Sequence, residues 1–120
     1  RDWSSDVCSS DLITGLETAV SLCLDRLIHT NRITLTRLVE LIAVNPARIL
    51  RVTGGALTPG RPADITILAP DLAVTVVASA MRSRSKNTPF DGWTLRGGVA
   101  ATIVGGRTVY RNEACQGLTI

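Results

Sequence analysis

Chemistry at an enzyme centre needs a nucleophile beside a base, a pair of carboxylates, or a set of metal ligands. The titratable side chains therefore come first. The chain has 120 residues, with 10 acidic side chains, 1 histidine and 3 cysteines. Beyond residue 12 the carboxylates are Glu17, Asp25, Glu40, Asp64, Asp71, Asp91 and Glu113, and the single imidazole is His29. One histidine among scattered carboxylates does not make the nitrogen- and sulfur-rich set that zinc takes. It supports no Ser–His–Asp arrangement either. Cys8, Cys23 and Cys115 are too far apart for a Cys-x-x-Cys site or a disulfide framework, and Cys23 falls in a helical core pattern.

Each acid also has a structural role open to it. Thr14-Gly15-Leu16-Glu17 matches the S/T-x-x-E capping box, which would engage Glu17 with a backbone N–H at a helix start. Asp25 and Glu40 fall on expected helix surfaces, and Asp71 follows Pro70 in an expected turn. Asp64 is expected to bond backbone in the turn before a strand. His29 lies near a helix end, where it is expected to bond carbonyls. On these residues the chain holds no complete active site, with no catalytic group and no metal ligand.

The elements that would position these groups are orderly from Ile13 onward. Residues 1–12, RDWSSDVCSSDL, show neither 3.6 nor 2.0 periodicity and resemble the translation of a short sequencing adapter. They read as a non-native leader. Apolar periodicity places Leu16, Val20, Cys23, Leu24, Leu27 and Ile28 on one stripe of a first helix, closed by Asn31-Arg32. Thr34 is the expected N-cap of a second helix, with Leu35, Leu38, Leu41 and Ile42 inward and Arg37 and Glu40 outward. Asn45-Pro46 is expected to cap and restart a short third helix over Ala47 to Leu50. After Val52 the period becomes that of strands. Residues 63–68 and Leu72 to Val77 read as two strands. Val99 to Val104 and Arg107 to Arg111 flank Gly105-Gly106, a hairpin turn. Helices followed by strands give an α+β arrangement.

The run Arg82 to Gly97 stands apart. Pro89 fixes its own φ, and Phe90 and Trp93 surround the turn pair Asp91-Gly92. This reads as an anchored loop leading into the hairpin. Arg82, Arg84 and Lys86 alternate with serines and would share one face if extended, which reads as a solvated edge. From residue 13 on there are 12 basic and 7 acidic side chains, a net charge of +5. With few aromatics and no basic helical stripe, the chain does not read as a nucleic-acid binder. An apolar content of 45% and a mean hydropathy of +0.24 are those of a globular protein. No apolar run reaches the ~18 residues a membrane helix needs, and no secretory signal is visible, so no membrane partner and a cytoplasmic location are expected.

The order GLET, NPARIL, G-x-L-x-P-G-x-x-A-D-I-T-I-L, SKNTPFDGWTLRG and VAATIVGGRTVY resembles the C-terminal end of bacterial dihydroorotases. These form part of the cyclic-amidohydrolase branch of the amidohydrolase superfamily. The match runs from about Ile13 to Asn112. Asn45 to Leu68 is shared across the superfamily, whereas Gly15 to Thr18 with Asn87 to Trp93 points more narrowly at dihydroorotase.

The resemblance implies the last helices of a (β/α)8 TIM-type barrel over residues 13–52, then the C-terminal strands of a small β-sandwich over residues 53–120. It implies a parent enzyme that interconverts N-carbamoyl-L-aspartate and (S)-dihydroorotate in pyrimidine biosynthesis. One or two zinc ions would hold the attacking hydroxide there. The family's H-x-H and D-H-A-P-H motifs do not occur in this chain, so the isolated piece is expected to be inactive and to bind no zinc. Ile13, Thr14 and Gly15 are expected at the rim of the substrate pocket, because a substrate-contacting stretch ends just before them in the family. Pro89 and Phe90 are expected to dock the sandwich against the barrel, and unpartnered helices are expected to leave apolar stripes facing water. The resemblance leaves other parents open: allantoinase or dihydropyrimidinase, or a non-catalytic homologue that scaffolds aspartate carbamoyltransferase. A homodimer or a complex with that transferase is the macromolecular partnership it implies.

Overall fold

The apolar spacing around Leu24 does form a helix, but the helix starts later than the capping box predicts. In the computed structural model, which describes residues 12–115, α1 spans Ala19–Cys23 and runs directly into a π-helical turn, Leu24–Ile28. The amides of Thr18 and Ala19 close on the Gly15 carbonyl at 3.2 and 2.9 Å. Thr14 is therefore not the N-cap, and Glu17 does not turn back onto its own helix. Leu16, assigned to the apolar stripe, precedes the helix and is 97% exposed. Asn31 ends this arm in the left-handed conformation, φ 56°, as the Asn31-Arg32 pair predicts.

The second arm is continuous. α2 (Leu35–Val39) passes through another π-helical turn, Glu40–Val44, into α3 (Asn45–Leu50). Thr34 is the N-cap, its Oγ1 accepting from the Arg37 amide at 3.2 Å. Asn45 is not a cap: its φ of −65° and ψ of −45° are helical, and its side chain accepts from Arg48 instead. The helix can run through Pro46 because its ring would otherwise press on the carbonyl one turn back, and the wide turn before it opens that space.

β1 (Ile65–Thr75), β2 (Thr94–Val104) and β3 (Arg107–Arg111) form an antiparallel sheet in the order β1-β2-β3. Where the sequence predicts two strands broken near Pro70, the chain makes one. β1 is an edge strand of this sheet. Pro70 falls in the irregular stretch between the pairs Ala69↔Gly98 and Ala73↔Arg96, so its missing N–H removes no ladder bond. The β2–β3 turn is Gly105-Gly106 with φ of 55° and 78°, the positive values a two-residue hairpin requires.

Helix and sheet meet at one close contact. Leu24 is fully buried, and with Leu95, Ala100 and Ala101, each at most 2% exposed, it forms the centre of the core. A Cβ added to Gly97 would stand 2.4 Å from Leu24 Cβ and 3.1 Å from the Pro70 carbonyl oxygen. Residue 97 also has a φ of +114°, which side chains rarely adopt. The second arm has no such seat. Leu38 is buried, but Leu35, Leu41 and Ile42, expected to face inward, are 38, 44 and 47% exposed. The expected apolar face toward water is thus present.

Gly97→Ala should lower stability in urea denaturation by on the order of 3 kcal/mol, from steric overlap and backbone strain together. Gly54→Ala, where an added Cβ meets nothing within 4 Å, should change it by less than about 0.5 kcal/mol.

Candidate functional site

The segment before α1 has no helical or strand partner of its own, so side chains and a neighbouring loop hold it. Ile13, Thr14 and Gly15 line a cleft of about 560 Å³ together with Leu16, Glu17, Arg82 and Ser83. The structure thus brings the three expected rim residues together on one concave surface. The Thr14 amide donates to the Asn87 carbonyl at 2.9 Å, and Thr14 Oγ1 donates to the same oxygen at 3.3 Å. The Asn87 side-chain amide donates back to the Leu12 carbonyl.

Glu17 faces this loop rather than its own helix. Its Oε2 accepts from the Arg82 amide and its Oε1 from the Ser83 amide, both at 2.9 Å. Those two backbone donors hold its carboxyl below the ordinary value of 4.5, aided by the charges of Lys86 and Arg82 and opposed by partial desolvation. The basic run does not form an edge strand. It is an irregular bend with Arg82, Arg84 and Lys86 exposed, and the Lys86 ammonium donates to the Met81 carbonyl.

The other acids are engaged in the same way. Asp25, expected on a helix surface, is half-buried and accepts from the Arg96 amide at 2.9 Å. Asp64 accepts from the Gly105 amide at 2.7 Å, which places its bond in the β2–β3 turn and not in the turn before β1. Asp91 accepts from the Ala78 amide at 2.7 Å, and Asp71 binds the Arg96 guanidinium at 2.6 Å. His29 Nε2 meets the Pro70 carbonyl at 2.7 Å, a carbonyl as expected, but one in β1 rather than at the helix end. Among the described residues no group of three or more His, Cys, Asp or Glu side chains could hold a metal ion. A carboxylate whose oxygens already accept from backbone amides is a fastener, and a base only if those bonds break.

Phe90 is half-buried and meets Trp93 edge-on, with ring centroids 5.3 Å apart, while the Arg26 guanidinium lies 5.3 Å from the Trp93 ring centre. These contacts anchor the loop to the π-helical turn that follows α1, and Pro89 is exposed. The leader, apart from Leu12, lies outside the described residues, as do Trp3 and Cys8.

The family model described as "Amidohydrolase family" matches residues 3–110. The chain belongs to the amidohydrolase family. Within it, the chain is 50% identical over 101 residues to a dihydroorotase of Syntrophus aciditrophicus, covering 84% of this chain and 24% of that protein. It is 48% identical over 99 residues to a dihydroorotase of Geobacter metallireducens, covering 82% of this chain and 23% of the relative. Among solved structures it is similar to an L-hydantoinase (dihydropyrimidinase) from Arthrobacter aurescens. The TM-score is 0.77 at 36% identity, over 82% of this chain and 22% of that one. The chain therefore spans about a quarter of the length of the amidohydrolases it matches.

Sequence reasoning missed Glu17, Asp25 and Asp91 as long-range anchors. The capping-box spacing was a complete local explanation for Glu17, and its true partners lie 65 and 66 residues away.

Because the folded-state pKa of Glu17 lies below 4.5, its contribution is complete above that value and is lost as the pH falls through the folded pKa. In a ¹H–¹⁵N titration the Arg82 and Ser83 amide resonances should move together at a midpoint below 4.5. Glu17→Gln should abolish that step.

Proposed function

We propose that the chain forms the C-terminal part of a dihydroorotase, the zinc hydrolase that interconverts N-carbamoyl-L-aspartate and (S)-dihydroorotate in pyrimidine biosynthesis. The observation that carries this reading is the 50% and 48% identity to two dihydroorotases, against 36% to the hydantoinase. Residues 13–52 then supply the last helices of the TIM-type barrel, and residues 53–120 the C-terminal strands of the β-sandwich. Exposed apolar residues on the second arm, Leu35, Val39 and Ile42 among them, are what such a layer would present to the rest of a barrel. Ile13, Thr14 and Gly15 form the pocket rim in this reading, and the enzyme works on its small-molecule substrate in the cytoplasm.

Amidohydrolases use metal ions, but the residues described here do not fit a zinc site. Glu17, Asp25, Asp64, Asp91 and His29 are bound to backbone groups, Glu40 and Asp71 to arginines, and they do not converge. In the proposed enzyme the zinc ligands and the reacting groups lie in the part of the protein outside this chain. What this chain contributes is shape, through a pinned rim, an anchored loop and a sheet that backs them.

The test is a fusion of the first three quarters of the Syntrophus aciditrophicus relative to residues 13–120 of this chain. Loaded with zinc, it should hydrolyse dihydroorotate with a kcat/KM within roughly tenfold of that relative's own. A folded fusion that turns over hydantoin or dihydrouracil but not dihydroorotate would favour the hydantoinase-like reading. One that turns over none of them would overturn the assignment.

A further inference from the structure

We propose that Glu17 and Asn87 are positioning residues that together clamp the rim segment, residues 13–15, in the geometry the substrate pocket needs. The role in substrate binding rests on the dihydroorotase reading above; the clamp itself rests on the hydrogen bonds between this segment and the 82–87 loop. Residues 12–15 belong to no helix or strand, so no ladder of their own holds them. Gly15 is joined to the start of α1 through its carbonyl, and the stretch from residue 12 to Glu17 is tied at two separated points to a single loop. At one point Thr14 donates twice to the Asn87 carbonyl, and the Asn87 carboxamide donates to the main-chain carbonyl just ahead of Ile13, a group that any residue joined there supplies. At the other, each Glu17 oxygen takes one amide, from Arg82 and from Ser83. One attachment would fix a distance. Two attachments, one at each end of the 82–87 loop, also fix an orientation.

The loop is stiff enough to act as a strut. Lys86 closes it onto the Met81 carbonyl, and Ser85 Oγ accepts from the Asn87 amide at 3.3 Å. Just beyond, Asp91 holds the Ala78 amide, and the Gly92 amide donates to the Val76 carbonyl at 2.9 Å. The chain after the loop is therefore fastened to the segment that follows β1. The cleft is lined by residues 13–17 together with Arg82 and Ser83. A rim misplaced by an ångström loses binding geometry even when no contacting residue has changed. Such a loss falls on substrate and transition state alike, so it raises KM more than it lowers kcat.

Two near-isosteric variants separate this from a general effect on folding. Glu17→Gln keeps one acceptor oxygen and replaces the other with a donor facing an amide. Asn87→Asp replaces the donor to Leu12 with an acceptor. In this chain by itself, amide hydrogen exchange at Thr14 should quicken roughly tenfold or more in Asn87→Asp, and at Arg82 and Ser83 in Glu17→Gln. Exchange at Gly105 should stay unchanged in both. In the fusion enzyme both variants should raise KM for dihydroorotate roughly tenfold with kcat within about twofold. Glu40→Gln, the same charge change on the second arm, should leave both constants unaltered.

Unchanged exchange at Thr14, Arg82 and Ser83 would overturn the clamp. Quickened exchange with an unaltered KM would overturn its role at the pocket. An inactive unsubstituted fusion would remove the dihydroorotase reading instead, and the exchange rates would still decide the clamp.

Discussion

Leu24 can lie against β2 only because residue 97 carries no side chain, and most of the described structure hangs on that contact. A Cβ at 2.4 Å from Leu24 Cβ could not be accommodated without moving the helix. With the helix seated this closely, the next residues on both elements meet as well: Asp25 reaches the Arg96 amide. Arg96 in turn sends its guanidinium to Asp71, and His29 meets the neighbouring Pro70 carbonyl. The irregular stretch of β1 is thus held at two adjacent residues, Pro70 from the helix side and Asp71 from β2. The same placement of α1 puts Glu17, before its first turn, within reach of the 82–87 loop.

A common physical theme runs through the acids. Glu17, Asp25, Asp64 and Asp91 each accept from a backbone amide at least 13 residues away in sequence. Charge-assisted bonds to backbone N–H groups are stronger than neutral ones. Four short tethers can therefore order long loops that bury little apolar surface. This is economical for a piece of a larger fold, whose own core is limited to a handful of residues. It also explains why a chain of the amidohydrolase family with many carboxylates carries no metal-binding cluster among its described residues.

Local structure was largely legible in the sequence. Thr34, Asn31 and the Gly105-Gly106 turn behave as their residue types dictate, because each acts through backbone preferences within a few residues. The α+β order was legible for the same reason, since the change from period 3.6 to period 2 is a local signal. Asn45 and Pro70 misled because their usual roles assume neighbours that this fold does not supply. A wide helical turn absorbs Pro46, and an edge position absorbs Pro70. Burial on the second arm misled differently. Leu35, Leu41 and Ile42 carry the pattern of an inward face, yet in this chain nothing covers them fully. The partners of Glu17 and Asp25 were not legible, because the tertiary contact at Gly97 that brings them into range leaves no periodic trace; that of Asp64 depends on the register of β1 against β2.

The central claim is that these carboxylates are fasteners and that the chemistry of the proposed dihydroorotase lies outside this chain. The direct measurement is dihydroorotate hydrolysis by the unfused chain with added zinc. The account predicts no turnover above the zinc-containing buffer. Turnover that scales with chain concentration and disappears on replacing Asp25, Asp64 or Asp91 with asparagine would contradict it.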